Sequence, residues 1–195
     1  MPLARTFDGA RITTTIHQAY ADRLSRWSDI QEYLPLLHET ARSYDKVRVL
    51  ELGSRKGNST LAFLAAAEEV NGHVWSGDVT DVTLDSEGML PWRNNPRWTF
   101  VCGDDMDPEI QKWFPREVDV LFIDTSHEYQ HTLDEIRDYL PRVAPGGVAL
   151  FHDTNLQLNI SGQNTVIPPV RQALDDSGHS WEDIPGEYGL GKIQL

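Results

Sequence analysis

Short, nearly continuous apolar runs alternate along the chain with longer stretches in which apolar residues recur every three or four positions. The runs KVRVLELG (46–53), HVWSGDV (73–79), WTFVCGD (98–104), VDVLFIDTS (118–126) and GVALFHDT (147–154) read as strands. Their density of Val, Leu, Ile and Phe suits strands covered on both faces of a parallel sheet. Helices are expected between them. In 128–140, Tyr129, Leu133, Ile136 and Leu140 fall on one helix face, and Pro141 with a Pro145-Gly146-Gly147 turn stops the helix before the fifth strand. A second helix is expected from Ser59 to Val70, with Leu61, Leu64 and Ala65 inward and Asn71-Gly72 as its C-terminal cap. A third runs from Val166 to Ser177 and ends at Gly178. Residues 15–44 read as helical with a break near Trp27-Ser28-Asp29, where Ser28 or Asp29 caps the second half. SWEDIPG and LGKIQL flank a Gly-rich turn and predict a closing antiparallel hairpin. This alternation implies a doubly wound α/β sheet with helices on both faces, preceded by a helical cap over residues 1–45.

In such sheets ligands bind beyond the carboxyl ends of the strands. Glu51 and Gly53 end the first run, Asp78 the second, and Asp104 and Asp105 the third. Asp124 and His127 end the fourth, and His152 and Asp153 the fifth. Any one of these acids has a plain role as a helix or turn cap; five strand ends in succession point to chemistry. Within ELGSRKGNST (51–60) the glycines follow E-x-G-x-x-x-G, not the G-x-G-x-x-G of dinucleotide enzymes, and no Gly-Lys-Ser/Thr makes it a P-loop. Gly53 permits a tight turn and close backbone approach, and Gly57 lets the next helix start close beneath a ligand. Asp78 is positioned to accept hydrogen bonds from both hydroxyls of a ribose.

Composition narrows the picture. With 39% hydrophobic and 24% charged residues in 195, the chain is one globular domain rather than a disordered one. A net charge of −13 disfavours nucleic acid as a partner. No apolar stretch is long enough for a membrane span, and MPLARTFDGARITTTIHQ lacks the apolar segment of a signal peptide, so a cytoplasmic location is expected. The single cysteine, Cys102, excludes an internal disulfide and reads as a small buried hydrophobe.

From about Val47 onward the chain resembles the class I S-adenosylmethionine-dependent methyltransferases. Two motifs carry the likeness: FID-x-x-H-x-Y, here Phe122-Ile123-Asp124-Thr125-Ser126-His127-Glu128-Tyr129, and P-G-G-x-x-x-x-H-D, from Pro145-Gly146-Gly147 to His152-Asp153. The resemblance implies a Rossmann-like, mostly parallel seven-stranded sheet. It implies that Glu51, Gly53, Ser54, Gly57 and Ser59 hold the methionine portion of the cofactor, Asp78 the ribose, and Gly103, Asp104 and Met106 the adenine side. The subgroup is similar to divalent-metal-dependent O-methyltransferases of small molecules, which implies metal on Asp124 and Asp153 and a general base at His127. Histidine, with a pKa near 6.5, suits the removal of a hydroxyl proton at neutral pH.

His152 departs from that pattern, standing where the metal enzymes often have a second acid. Imidazole serves Mn²⁺, Fe²⁺ or Zn²⁺ better than Mg²⁺. Three readings stay open: a softer ion with His152 in the metal set, a site completed by Thr154 or Asn155, or no metal. The implied acceptor is a small-molecule hydroxyl on a sugar, polyketide or phenol. The 80–97 and 155–165 segments suit a lid, and Trp27, Tyr20 and Tyr33 suit either a pocket wall or core and dimer contacts, which leaves a homodimer open. His131, His38, His73 and His179 carry no assignment, and His17 reaches the site only if the N-terminal helix folds over it. Two competing readings remain, a nicotinamide-dependent oxidoreductase on the same sheet and a non-catalytic cofactor-binding domain. The missing G-x-G-x-x-G weakens the first, and His152 keeps the second open.

Overall fold

The computed structural model describes residues 5–7, 10–12, 14–84, 89–160 and 163–195. A short pair, β1 (Arg5–Phe7) and β2 (Ala10–Ile12), precedes α1 (Ile16–Leu24) and α2 (Leu34–Arg42). Then come β3 (Arg48–Leu52), α3 (Asn58–Glu69), β4 (His73–Asp78), β5 (Trp98–Cys102) and the single turn α4 (Pro108–Gln111). β6 (Val118–Ile123), α5 (Tyr129–Tyr139) and β7 (Val143–His152) follow, then the two-residue strands β8 (Asn159–Ile160) and β9 (Gln163–Asn164). The described chain closes with α6 (Pro169–Asp176), β10 (Glu182–Ile184) and β11 (Leu190–Gln194).

Seven strands form one sheet in the order β10-β11-β7-β6-β3-β4-β5. The five central and edge strands from β7 to β5 are parallel, and β11 runs antiparallel to both β7 and β10, as the closing hairpin predicted. After β5 the chain returns to lay β6 beside β3, so the winding reverses between those two strands. That reversal opens a crevice at their carboxyl ends.

Period-two alternation divides the strand side chains between two cores. Val49, Val120, Phe122, Val148 and Leu150 face α1, α2 and α3. Leu50, Leu121, Ile123, Ala149 and Phe151 face α5 and α6 with Phe114 and Tyr139. Helix α3 lies between the sheet and the α1–α2 pair, so every residue from Ser59 to Ala67 is buried, not only the three inward positions the sequence indicates. Asn71, at φ 58°, ends it in the left-handed conformation, while the Gly72 amide reaches back to the Ala67 carbonyl.

Local expectations fail where neighbours override the pattern. The buried face of α5 is Thr132, Glu135, Ile136 and Tyr139, with Leu133 only half-buried. Pro145-Gly146-Gly147 lies inside β7 as an irregularity, since Val118 pairs with Val143 and Val120 with Val148, rather than forming a free turn. Neither Ser28 nor Asp29 caps α2, whose N-cap is Tyr33 without a side-chain bond; Thr15 makes a capping box on α1 instead. Cys102 is exposed, because β5 is the sheet edge, and not the buried hydrophobe expected of it.

One polar residue organises the sheet centre. Glu51 is fully buried on β3 and accepts hydrogen bonds from Ser59 Oγ (2.6 Å), Thr60 Oγ1 (2.7 Å) and Ser76 Oγ (2.6 Å). Trp98 Nε1 donates to Ser76 Oγ at 2.9 Å, which turns the serine's own hydrogen toward the carboxylate. Burial lifts Glu51 to about 7 against the pull of these three hydroxyls.

The sign of the resulting pH dependence is fixed. An unfolded Glu51 titrates near 4.5, so between pH 4.5 and 7 the native state alone keeps the proton, and stability falls as pH rises. Glu51→Gln removes this component. Denaturant unfolding across pH 4 to 8 is expected to give a wild-type-minus-variant difference that declines through that window, by at most about 1.4 kcal/mol per pH unit, and is flat above it. Parallel curves would refute the assignment.

Candidate active site

At the β3–β6 switch point the first loop and the fourth strand end are in direct contact. Gly53 takes φ 83°, and a Cβ there would stand 1.9 Å from the Asp124 carbonyl oxygen. Only glycine lets the loop pass. Gly57, at φ 74°, is the N-cap of α3, and the Met89 side chain fills the space beside it, 2.2 Å from where a Cβ would be. Met89 therefore supports the loop from a buried position, while residues 85–88 of the expected lid lie outside the described residues.

The amides after Gly53 turn to the next strand end. Ser54 N and Arg55 N donate to Asp78 Oδ2 at 3.0 and 2.8 Å, and Thr80 N to Oδ1 at 2.8 Å. A carboxylate has about four lone-pair positions, so Asp78 retains acceptor capacity for a ligand hydroxyl. The Gly103 amide donates to the Asp78 carbonyl at 2.9 Å, and Asp104 Oδ1 accepts from Met106 N at 2.9 Å. The expected cofactor positions Ser54, Asp78 and Gly103 are thus joined by hydrogen bonds into one wall, with the Gly53 amide donating to the Gly77 carbonyl at 2.9 Å beside them. Glu51 and Ser59 stand behind it, with their polar atoms bonded to each other.

Beside that wall lies a quartet of two carboxylates and two imidazoles. His127 Nε2 is 3.0 Å from Asp124 Oδ1 and 3.0 Å from Asp153 Oδ2. His152 Nδ1 is 3.2 Å from the same two oxygens. His127 (φ 58°) and Asp153 (φ 65°) both adopt left-handed backbone, which turns their side chains inward. Strain of this kind, about 1 kcal/mol or more per residue, persists where the surroundings impose it. Tyr33, buried, meets the His152 ring edge to face, with the ring centroids 5.7 Å apart.

Burial opposes every charge in the quartet, and mutual contact overcomes it. For His127, desolvation acts downward, but hydrogen bonds to Asp124 and Asp153 and then their charges raise it to about 9. The same contest raises His152 to about 10. Asp124 and Asp153 are pushed up by burial yet end well below the usual carboxylate range through their bonds to the two histidines. The carboxylates therefore require positive charge between them, carried either by imidazolium protons or by a cation. The 3.2 Å spacings from His152 to the two carboxylates are close to those of neighbouring ligands about 2.1 Å from an octahedral ion, for which the expected edge is about 3.0 Å. Asp153 Oδ1 and Thr154 Oγ1, both buried, have no hydrogen-bond partner, so the donor set fits a divalent ion with a taste for nitrogen. Asn155 is not turned this way: its amide bonds the Gly186 carbonyl at 3.0 Å and Arg171 at 3.0 Å.

A crevice of about 360 Å³ leads to Asp124 and is walled by Arg23, Arg26, Trp27, Asp29 and Arg55 among others. Arg55 closes on Asp29 at 2.6 Å, linking the glycine loop to the α1–α2 connection. The arginines escaped the sequence reading, although Arg23-x-x-Arg26-Trp27 at the end of an expected helix was a visible signal. Trp27, 78% exposed, stands at the mouth as one of the readings anticipated. His17 does not reach the site; it lies beside Glu68 (3.6 Å) and Glu69 (3.8 Å) at the opposite end of α3.

Comparison with known proteins agrees with this geometry. A family model described as "Methyltransferase domain" matches residues 50–154, more than half of the chain. No curated protein sequence matches. Among solved structures, a putative caffeoyl-CoA O-methyltransferase from Staphylococcus aureus is 13% identical, with a TM-score of 0.70 over 94% of this chain and 93% of that one. The O-methyltransferase TomG from Streptomyces achromogenes, in complex with S-adenosylmethionine, is 16% identical, with a TM-score of 0.66 over 100% and 92%. MycE methyltransferase, in complex with Mg, S-adenosylhomocysteine and mycinamycin VI, is 17% identical, with a TM-score of 0.59 over 95% of this chain and 56% of that one. At these identities the likeness establishes a common fold. The family match spans the glycine loop, Asp78 and the Asp124 and Asp153 strand ends, and it assigns the chain: it belongs to the methyltransferase-domain family and is a methyltransferase.

Proposed function

We propose that the enzyme methylates a hydroxyl group of a small molecule such as a sugar, polyketide or phenol, with His127 as general base beside a divalent-metal site. The observation that carries this reading is the buried Asp124/His127/His152/Asp153 quartet directly against the glycine loop, where Gly53 abuts Asp124. Methyl transfer from a sulfonium is an in-line displacement: the acceptor oxygen forms the new C–O bond as the C–S bond breaks, leaving a neutral thioether. The hydroxyl must lose its proton in the process, and His127 Nε2 is the ring nitrogen turned toward the quartet to receive it.

In the free quartet that nitrogen is held protonated, with His127 raised to about 9, so base function requires another positive charge among the carboxylates. Asp124, Asp153 and His152 would hold a Mn²⁺-like or Mg²⁺ ion there, which when bound neutralises the acids and lowers the pKa of a coordinated hydroxyl. MycE, which shares this fold, was crystallised with Mg, S-adenosylhomocysteine and mycinamycin VI, and a metal on this fold is in keeping with the reading. Ser54, Gly57 and the surrounding loop take the methionine end of the cofactor, Asp78 the ribose, and Gly103, Asp104 and Met106 the adenine side in this reading. Residues 14–45 supply the acceptor-side wall through Trp27 and the arginines of the crevice. Among the described residues no helix is long and apolar enough to cross a membrane, and a cytoplasmic small-molecule enzyme is the setting we infer.

Two outcomes test this. His127→Ala is expected to keep S-adenosylhomocysteine affinity in calorimetry while turnover falls about 100-fold or more; undiminished turnover would move the base elsewhere. Chelation by EDTA is expected to abolish methyl transfer, with Mn²⁺ restoring more than Mg²⁺, and Asp153→Asn to abolish the restoration while still binding S-adenosylhomocysteine. Full activity in EDTA would sink the metal reading and leave the methyltransferase assignment standing.

A further inference from the structure

Outside the quartet stands a second group of metal-ligating side chains that the methyl-transfer reading does not use. Asp105 follows β5, and His131 and Glu135 are one turn apart on α5; one ligand atom from each lies within 4.8 Å of the others. His131 Nε2 is 3.4 Å from Asp105 Oδ1 and 3.4 Å from Glu135 Oε1. It makes a hydrogen bond to neither, and the buried oxygens Asp105 Oδ2 and Glu135 Oε2 have no donor. Glu135 is 0% exposed, so its second oxygen is an unpartnered polar atom in the interior.

The ligand-bearing groups are held in place from behind. Thr125 Oγ1 donates to Glu135 Oε1 at 2.7 Å. The Asp105 main-chain carbonyl accepts from Gln111 Nε2 at 3.0 Å and from the Tyr139 hydroxyl. Free to pack as an ion pair, imidazolium and carboxylate close to about 2.8 Å. Here they stand off at 3.4 Å, which matches the separation of about 3.4 Å between two ligands held about 2.1 Å from a tetrahedral ion. Burial raises Glu135 to about 7, with the nearby Asp105 charge adding to it, so a positive occupant would relieve the clustered acids. His131 is about one-quarter exposed, leaving a path for an ion and room for a water.

We propose that Asp105, His131 and Glu135 form a second site, separate from the quartet, for a borderline divalent cation of the Zn²⁺ type. One imidazole with two carboxylates selects such an ion over Mg²⁺. Thr125 and the held Asp105 backbone act as the outer support that fixes ligand orientation. Bound there, the ion ties the loop after β5 to α5 and so fixes the position of Asp104 and Met106. The assignment does not depend on the identity of the methyl acceptor or on a metal in the quartet.

The test uses Zn²⁺ as the probe and metal counting as the readout. In an Asp153→Asn background, which disables the quartet, metal-freed protein is loaded with Zn²⁺, cleared of excess and measured by elemental mass spectrometry. About one equivalent is expected, together with a zinc-dependent rise in Tm. Adding His131→Ala or Glu135→Gln is expected to remove both and to weaken Zn²⁺ binding about 100-fold in calorimetry. The Gln variant keeps an oxygen for Thr125, and an unchanged circular-dichroism spectrum shows that it folds. If both variants keep the zinc and the Tm rise, or if the Asp153→Asn protein holds none, the site does not exist. A proton shared between Asp105 and Glu135 would give the latter result. Failure of the quartet reading is separable, since it appears as equal zinc content in the wild type and Asp153→Asn.

Discussion

Everything at the ligand end of this sheet depends on a buried carboxylate being satisfied. Glu51 is the next-to-last residue of β3, fully buried within the sheet, where an unpaired charge would cost several kcal/mol. Its two oxygens accept from hydroxyls on two elements, Ser59 and Thr60 in the first turn of α3 and Ser76 on β4. The helix N-terminus adds favourable partial positive charge in the same place. This arrangement fixes where α3 begins relative to β3, and the five residues between them have no freedom to form another loop. Gly53 and Gly57 are the consequence: both take left-handed backbone because the loop is short and packed, against the Asp124 carbonyl at one end and Met89 at the other.

Through Gly53 that constraint passes to the quartet. Because the glycine loop rests on the Asp124 carbonyl, the cofactor wall and the Asp124 side chain share one rigid support. The two histidines reach Asp124 from different strand ends, His127 four residues past the end of β6 and His152 at the last position of β7. Neither carboxylate is stable in the interior without them. The same residues that would bind a cation are thus compatible with one another in its absence, with two imidazolium protons replacing the missing positive charge. In the proposed metal reading, proton and ion would compete for the same oxygens, so ion binding would carry proton release with it.

How much of this was legible in the sequence depended on whether a residue's role was local. The strands were legible because two-sided burial demands continuous apolar runs, and the functional strand ends because ligands gather at one edge of such a sheet. Asp124, His127, His152 and Asp153 could be named for that reason. Their convergence on two shared oxygens could not, because it depends on left-handed backbone at His127 and Asp153, which neither residue advertises. The sequence reading of α5 named only Tyr129, Leu133, Ile136 and Leu140 and passed over Glu135, since a charged residue at helical spacing looks solvated. Its burial reflects Asp105 and His131 on neighbouring elements. Cys102 was misread for the opposite reason: an apolar run gives no sign that its strand will lie at the edge.

The acidic character of the chain acquires a local meaning at the crevice. With a net charge of −13, the protein surface as a whole repels anions, yet the mouth gathers Arg23, Arg26, Arg55 and Lys56. Two contacts tie the N-terminal segment into this region: Arg55 to Asp29 at 2.6 Å, and the Glu187 amide to Glu32 at 2.8 Å. The segment before β3 is therefore connected at once to the glycine loop and to the turn before β11. A shift of the Trp27 connection would strain both links, and through Arg55 it would reach the amides that bond Asp78. In the proposed reading, acceptor entry and cofactor seating would be mechanically joined on this side of the crevice, so the residues least tied to the family motifs would be those best placed to decide which acceptor is admitted.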